Sequence, residues 1–208
     1  METLEQLGIV PVDYAALRSM YSDYSSPHNK IANLEHDGKV IRLKRGLYVV
    51  SPTVSKQLLS NELIANHLYG PSYVSRESAL RYYGLIPEQV YTVQSMTTNR
   101  SKKYDNALGR FEYMTVSENY YPIGIAQLKA NERYTFLIAT PEKALCDMLT
   151  TTSRLKLQSV TALNTYLEED IRFDMDSLKN MDSSIVRQCM ETGKKKANLE
   201  LLLKRIQQ

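Results

Sequence analysis

The sequence predicts an α+β protein in two parts: a small helical unit closed by a β-hairpin over residues 1–53, and a mixed α/β domain with a helical C-terminal part over residues 54–208. Three observations carry this reading. Residues 13–37 hold two helical patterns separated by a polar turn. Residues 40–50, VIRLKRGLYVV, hold two apolar, β-branched-rich runs around a glycine. After Ser51-Pro52, helical and alternating patterns interleave to about residue 155, and beyond that only helical periodicity remains.

Taken in order, Asp13 can cap a helix running to about Tyr21, with Leu17, Met20 and Tyr21 on one side. Asp23-Tyr24-Ser25 reads as a turn. Ser26 at the N-cap and Pro27 at the first helical position start a second helix, which ends near Asp37 because Gly38 provides a left-handed stop. Ile31 and Leu34, with Ala32 beside them, should face the core. The hairpin follows at once, and Gly46 suits a positive φ at its turn. Leu47 and Val49 are expected to pair with Ile41 and Leu43 and bury one face.

Residues 55–69 then show helical spacing through Leu58, Leu59, Leu63, Ile64 and Leu68, broken by Gly70-Pro71. A short helix, SRESALRYYG, is capped by Ser75 and closed by Gly84. Residues 90–96, VYTVQSM, alternate as a strand, and 97–110 read as a polar, basic segment. FEYMTV and RYTFLIAT are two further strands. Pro141 opens a helix with Ala144, Leu145, Met148 and Leu149 inward, and more helices are expected near 156–168, 182–191 and 194–206.

Composition narrows the class. Hydrophobic content of 43% and charged content of 24% over 208 residues are those of an ordinary globular protein. No run of 18 or more apolar residues exists, so no membrane span is expected. METLEQLGIV has acidic residues where a secretory leader needs cations, which makes a cytoplasmic location the expectation. Cys146 and Cys189, far apart and among apolar neighbours, read as buried free thiols. The chain has 15 tyrosines against three phenylalanines and no tryptophan, and tyrosine suits contact surfaces.

The order helix, turn, helix, hairpin within about 40 residues is that of a winged helix-turn-helix, whose second helix enters a DNA major groove. That helix offers His28, Asn29, Lys30 and Asn33; asparagine can make a bidentate contact to adenine, and lysine or histidine can meet phosphate or guanine. The hairpin, as the wing, adds Arg42, Lys44 and Arg45. Residues 1–53 carry six cations and six anions, so the unit is neutral. Four of those cations fall between residues 39 and 45, and no anion follows Asp37, so position rather than net charge makes the patch. A winged helix serving as a protein-docking module, with a solvated wing, is the alternative.

Arg100, Lys102, Lys103 and Arg110, with Tyr104 among them, form a second basic cluster. It could extend a DNA surface, meet an acidic partner, or be a solvated loop. Lys194-Lys195-Lys196 reads as a solvated helix face, and Glu168-Glu169-Asp170 as a solvated helix end. No phosphate loop, His-Glu-x-x-His or Cys/His cluster is present, so no enzyme, cofactor or metal is expected. His36 suits a helix C-terminus, His67 a helix-surface or packing position, and Asp174 and Asp176 a helix start at Asp176-Ser177.

Several of these stretches together resemble the AbiEi family of antitoxins from type IV toxin–antitoxin systems. They are Arg45-Gly46-Leu47-Tyr48, then Ser75, Ser78-Ala79-Leu80 and Gly84-Leu85, then Thr140-Pro141-Glu142-Lys143-Ala144-Leu145 with Asp147. The resemblance covers about residues 10–155. It implies an N-terminal winged helix that binds double-stranded DNA at its own promoter and represses it, and a C-terminal part that antagonises a nucleotidyltransferase-like toxin without necessarily binding it. On the matching positions it implies DNA contacts by Asn29, Lys30, Asn33, Arg42, Lys44 and Arg45.

Overall fold

The computed structural model describes residues 4–87 and 91–208. Val90, the first residue of one predicted strand, and residues 1–3 of the leader reading lie outside the described residues.

Asp13 opens helix α1 (Tyr14–Met20) by accepting the Ala16 N–H at 2.7 Å. Helix α2 (Pro27–His36) starts where predicted, but Ser26 makes no side-chain capping bond; Pro27, with φ preset by its ring, fixes the start. Gly38 ends it at φ +66°, its N–H on Glu35 O. Ile31 and Leu34 are buried as predicted, whereas Ala32 is exposed, one position round the helix from that stripe. A short strand β1 (Val12–Asp13) pairs with β3 (Leu47–Val50), which pairs in turn with β2 (Val40–Lys44), giving a three-stranded antiparallel sheet.

The hairpin register differs from the predicted one. Ile41 does lie opposite Val49, but Arg42 lies opposite Tyr48 and Lys44 opposite Leu47, which leaves Leu43 as an extra residue in the ladder. An extra residue re-aims the side chains that follow it. Lys44 therefore belongs to the strand, and the turn is Arg45-Gly46, with Gly46 at φ +80°.

Past Ser51, a single helical turn α3 (Pro52–Ser55) stops at Lys56, which is left-handed at φ 56°. The predicted helix over 55–69 thus begins only at α4 (Asn61–Leu68), capped by Ser60 on Leu63 N–H at 3.1 Å, and Leu58 is 89% exposed instead of core. Strand β4 (Ser72–Val74) and helix α5 (Arg76–Tyr82) follow. Ser75 holds the N-cap position of α5 without capping it, because its hydroxyl is engaged elsewhere.

The segment expected as polar and basic is largely strand. β5 (Thr92–Thr97), β6 (Lys102–Asn106), β7 (Gly109–Thr115), β8 (Ile125–Lys129) and β9 (Thr135–Ala139) join β4 in a six-stranded mixed sheet ordered β6-β7-β5-β4-β9-β8. β5/β7 and β4/β9 pair parallel, the others antiparallel. Helix α6 (Pro141–Thr151) is buried along most of its length, from Glu142 to Thr150. Around it lie α7 (Val160–Thr165), running on as a wider turn through Asp170, α8 (Ser183–Thr192) and α9 (Lys196–Ile206). A 3-10 turn at Met175–Asn180 is capped by Asp174 on Asp176 N–H, one residue before the predicted start.

Two cores result. Leu17, Ile31, Leu34, Val40 and Tyr48 close a small one between α1, α2 and one face of the hairpin. The other hairpin face contributes Leu43 and Val49 to the large core of the sheet and C-terminal helices. Burial on both faces explains why the LYVV strand is apolar throughout rather than alternating. No described helix is long and apolar enough to cross a membrane.

Candidate nucleic-acid interface

The first turn of α2 faces the hairpin across a groove lined by Tyr14, His28, Arg42, Arg45, Gly46 and Tyr48. Three sequence-predicted residues, His28, Arg42 and Arg45, are brought together here, all exposed. Its walls are Tyr14, which the sequence reading did not single out, and Tyr48, which it named only within the family motif. Tyr14 positions His28: its hydroxyl lies 3.2 Å from Nδ1, and the rings meet edge to face. Because no side chain caps α2, its leading N–H groups remain free for a ligand, and the helix dipole favours an anion there. The acidic residues of α2 lie at its other end, where Asp37 pairs with His36 and Lys39, each at 3.6 Å.

Asn29 and Asn33 are exposed on the outer surface of α2, where their amides are free to reach outward. Lys30 is half-buried. Its ammonium stands 5.1 Å from the Tyr24 ring centroid and 5.8 Å from that of Tyr21. Tyr21 at the end of α1 and Tyr24 in the predicted turn thus form an aromatic pair that holds the lysine without neutralising it.

Lys44 is placed differently from Arg42 and Arg45. The extra residue in the ladder turns it away from α2 and toward the end of α4 and strand β6. There it donates to Leu68 O at 2.5 Å and lies 5.7 Å from the Tyr104 ring centroid. Beside it, Asn106 Nδ2 donates to Leu43 O at 3.2 Å, so the hairpin docks on edge strand β6.

The second basic cluster divides between the two faces of β6, as strand alternation requires. Lys103 pairs with Glu112, and Arg110 with Asp105 at 3.0 Å, both pairs across the β6/β7 ladder on one face. On the other face Lys102 sits 5.0 Å from the Tyr104 centroid and 5.5 Å from that of Tyr69. Arg100, just outside the strand, is exposed, and its carbonyl accepts the Tyr69 hydroxyl at 3.1 Å. The four cations therefore do not form one patch.

Elsewhere, His67 Nδ1 lies 2.9 Å from Leu63 O within its own helix. Lys195 departs from the solvated face expected for it. It is half-buried, its ammonium bonds Thr152 O, and desolvation holds its pKa below the usual lysine value. Cys146 and Cys189 are buried free thiols, as predicted. Among the described residues no cluster of three or more His, Cys, Asp or Glu side chains is arranged to hold a metal ion.

The sequence reading missed the meaning of Lys143 and Asp147, both fully buried. Their charged atoms stand 3.5 Å apart. Lys143 Nζ also donates to Tyr120 O at 2.9 Å, and Ser75 Oγ donates to Asp147 Oδ2 at 2.6 Å. Burial pushes the Asp147 carboxyl above the usual range despite Lys143 and Ser75, and pushes the Tyr73 and Tyr120 hydroxyls up as well. The signal was present as a Lys-x-x-x-Asp pair set inside the apolar run EKALCDML. It is a sealed internal cluster, not a surface site. The chain matches no known family model and no curated protein.

Proposed function

We propose that the chain is a DNA-binding transcriptional repressor whose first 53 residues form a winged helix-turn-helix, with α2 as the recognition helix and the β2–β3 hairpin as the wing. The observation that carries this is the groove between the start of α2 and the hairpin, where His28, Arg42 and Arg45 converge beside uncapped helix N–H groups. That arrangement suits a phosphate, and Asn29 and Asn33 lie exposed on the same helix for base edges. Arg42 and Arg45 would set affinity and its salt dependence; Asn33 would set sequence choice. The AbiEi resemblance extends the proposal: the operator lies in the chain's own promoter, and the larger domain, without catalysis, antagonises a nucleotidyltransferase-like toxin.

The test is duplex binding over a salt series, using the DNA upstream of the chain's own coding sequence and a scrambled duplex. Arg42→Ala with Arg45→Ala should weaken binding to both and make the slope of log K against log salt shallower by roughly 2, at about 0.9 per phosphate contact. Asn33→Ala should instead reduce the ratio between the two duplexes. No binding to either duplex at low salt overturns the proposal.

A further inference from the structure

On the flank of the hairpin turned away from α2, two ammonium groups gather around one ring. Lys44 Nζ is 5.7 Å and Lys102 Nζ 5.0 Å from the Tyr104 centroid. Among the described residues, neither has a carboxylate within ion-pair distance, although Asp105 is on the same strand as Lys102 and Glu112 on the strand paired with it. The alternation of β6 sends those two acids to the opposite face, where Lys103 and Arg110 use them up. The rings of Tyr69 and Tyr104 hold Lys102 by its attraction to their faces, which fixes its position and leaves its charge intact. Lys44 is fixed by the Leu68 carbonyl. Two lysines thus rest on one ring, and among the described residues neither charge is cancelled by an acid.

We propose that Lys102, with Lys44 behind it, is a second phosphate contact for the same DNA duplex, made by the larger domain at the seam with the hairpin. The inference rests on the DNA-binding reading above. A hairpin lying along a groove has a phosphate strand on each flank. Arg42 serves the flank toward α2, Arg45 the tip, and the Lys44–Lys102 pair the far flank. The extra residue Leu43 in the ladder is what sends Arg42 and Lys44 to different sides. The partner is the sugar–phosphate backbone and not a base, so this contact adds affinity without sequence preference.

The experiment compares Lys102→Ala, Lys102→Arg and Lys103→Ala by fluorescence anisotropy on the full chain, with the upstream duplex and a scrambled one over a salt series. Lys102→Ala should weaken both duplexes by about 3- to 10-fold at low salt and make the salt slope shallower by about 0.9. Lys102→Arg should restore most of the affinity. Lys103→Ala, which removes the same net charge from the opposite face, should stay within about twofold of the unmodified chain, since its charge is already paired. If Lys103→Ala weakens binding as much as Lys102→Ala, the effect is net charge and the inference fails. If Lys102→Ala changes neither affinity nor slope while Arg42→Ala with Arg45→Ala weakens binding, the second contact is wrong and the DNA reading stands. A chain that binds no duplex at low salt removes both.

Discussion

Lys143→Met tests whether the buried ion pair holds the large domain together. The substitution keeps a four-atom apolar stem and removes the ammonium that sits 3.5 Å from Asp147 Oδ1 and 2.9 Å from Tyr120 O. Asp147 then keeps the Ser75 donor but loses the opposite charge beside it. Breaking a buried pair from one side costs about 3–5 kcal/mol. Protonation sets a ceiling: the carboxyl can escape by taking a proton, which at pH 7, counted from an ordinary value of 3.8, costs at most about 4 kcal/mol at 1.36 kcal/mol per pH unit, less the part that the raised Asp147 value already carries in the unmodified chain. With a urea m-value of about 2–3 kcal/mol/M, the unfolding midpoint should fall by about 1.5 M. The escape route also sets the pH signature. In the variant, folded Asp147 binds a proton that the unfolded chain has released, so stability must fall as pH rises above 3.8, by about 1.36 kcal/mol per unit up to neutrality. The penalty should therefore shrink to under about 2 kcal/mol near pH 5. Lys143→Met with Asp147→Leu removes both charges and should recover most of the loss, leaving about 1 kcal/mol for the orphaned Ser75 hydroxyl. Urea titrations at several pH values give all three quantities. A single variant within 1 kcal/mol of the unmodified chain at pH 7, or a double variant whose loss is the sum of its parts, refutes the reasoning.

Asp147→Asn reads the same carboxyl in the presence of Lys143. Since burial raises its folded pKa, the native chain binds a proton that the unfolded chain gives up; stability contributed by that proton is present at acid pH and is lost as pH rises from 3.8 through the raised value. The unmodified chain should show that fall relative to Asp147→Asn in pH-dependent unfolding; parallel curves would count against it. Gly124→Ala should destabilise by about 2–5 kcal/mol, combining a left-handed backbone cost with a Cβ that would stand 2.8 Å from Lys143 Cβ and 2.9 Å from Ile185 Cγ2, which forces overpacking. Gly38→Ala carries the same backbone penalty at φ +66° but meets nothing within 4 Å, and should cost only about 1 kcal/mol; equal losses at the two sites would show that packing around Gly124 is not tight.

What could be read in the sequence was whatever is decided locally. Pro27, Gly38 and Gly46 fix backbone angles by their own chemistry, so α2 and the hairpin turn lie where predicted. Strand β6 could not be read, because KKYDN has no apolar alternation. Its pairing is set by β7 across the ladder, through backbone bonds and the Lys103–Glu112 and Asp105–Arg110 pairs. Strand β4 is three residues long and gives no period to detect. Ser26 and Ser75 occupy predicted cap positions with their side chains uncommitted to the cap, and for Ser75 the reason is Asp147, 72 residues away. The placement of Lys44 depends on one unpaired residue, Leu43, in a register that only the folded hairpin defines. Of the candidate contacts, His28 was read on the helix and Arg42, Lys44 and Arg45 on the hairpin; that His28, Arg42 and Arg45 line one groove without Lys44 depends on the fold. The division of Lys102 from Lys103 required knowing that they lie on a strand.

The tyrosine-rich composition connects these sites. Lys30 rests on Tyr21 and Tyr24, Lys44 and Lys102 on Tyr104, and Lys143 on Tyr120 at 3.1 Å. A ring face and a carboxylate both attract an ammonium, but only the carboxylate cancels its charge. At the surface, choosing the ring keeps a lysine in place and still positive, which is what a phosphate contact needs. In the interior the same choice is not sufficient. An uncompensated ammonium there is too costly, and Asp147 is present beside Lys143 and absent beside Lys102. One pattern, lysine against tyrosine, thus separates by the presence of an acid into a buried, neutralised cluster and surface lysines that keep their charge, which is what the proposed phosphate contact requires.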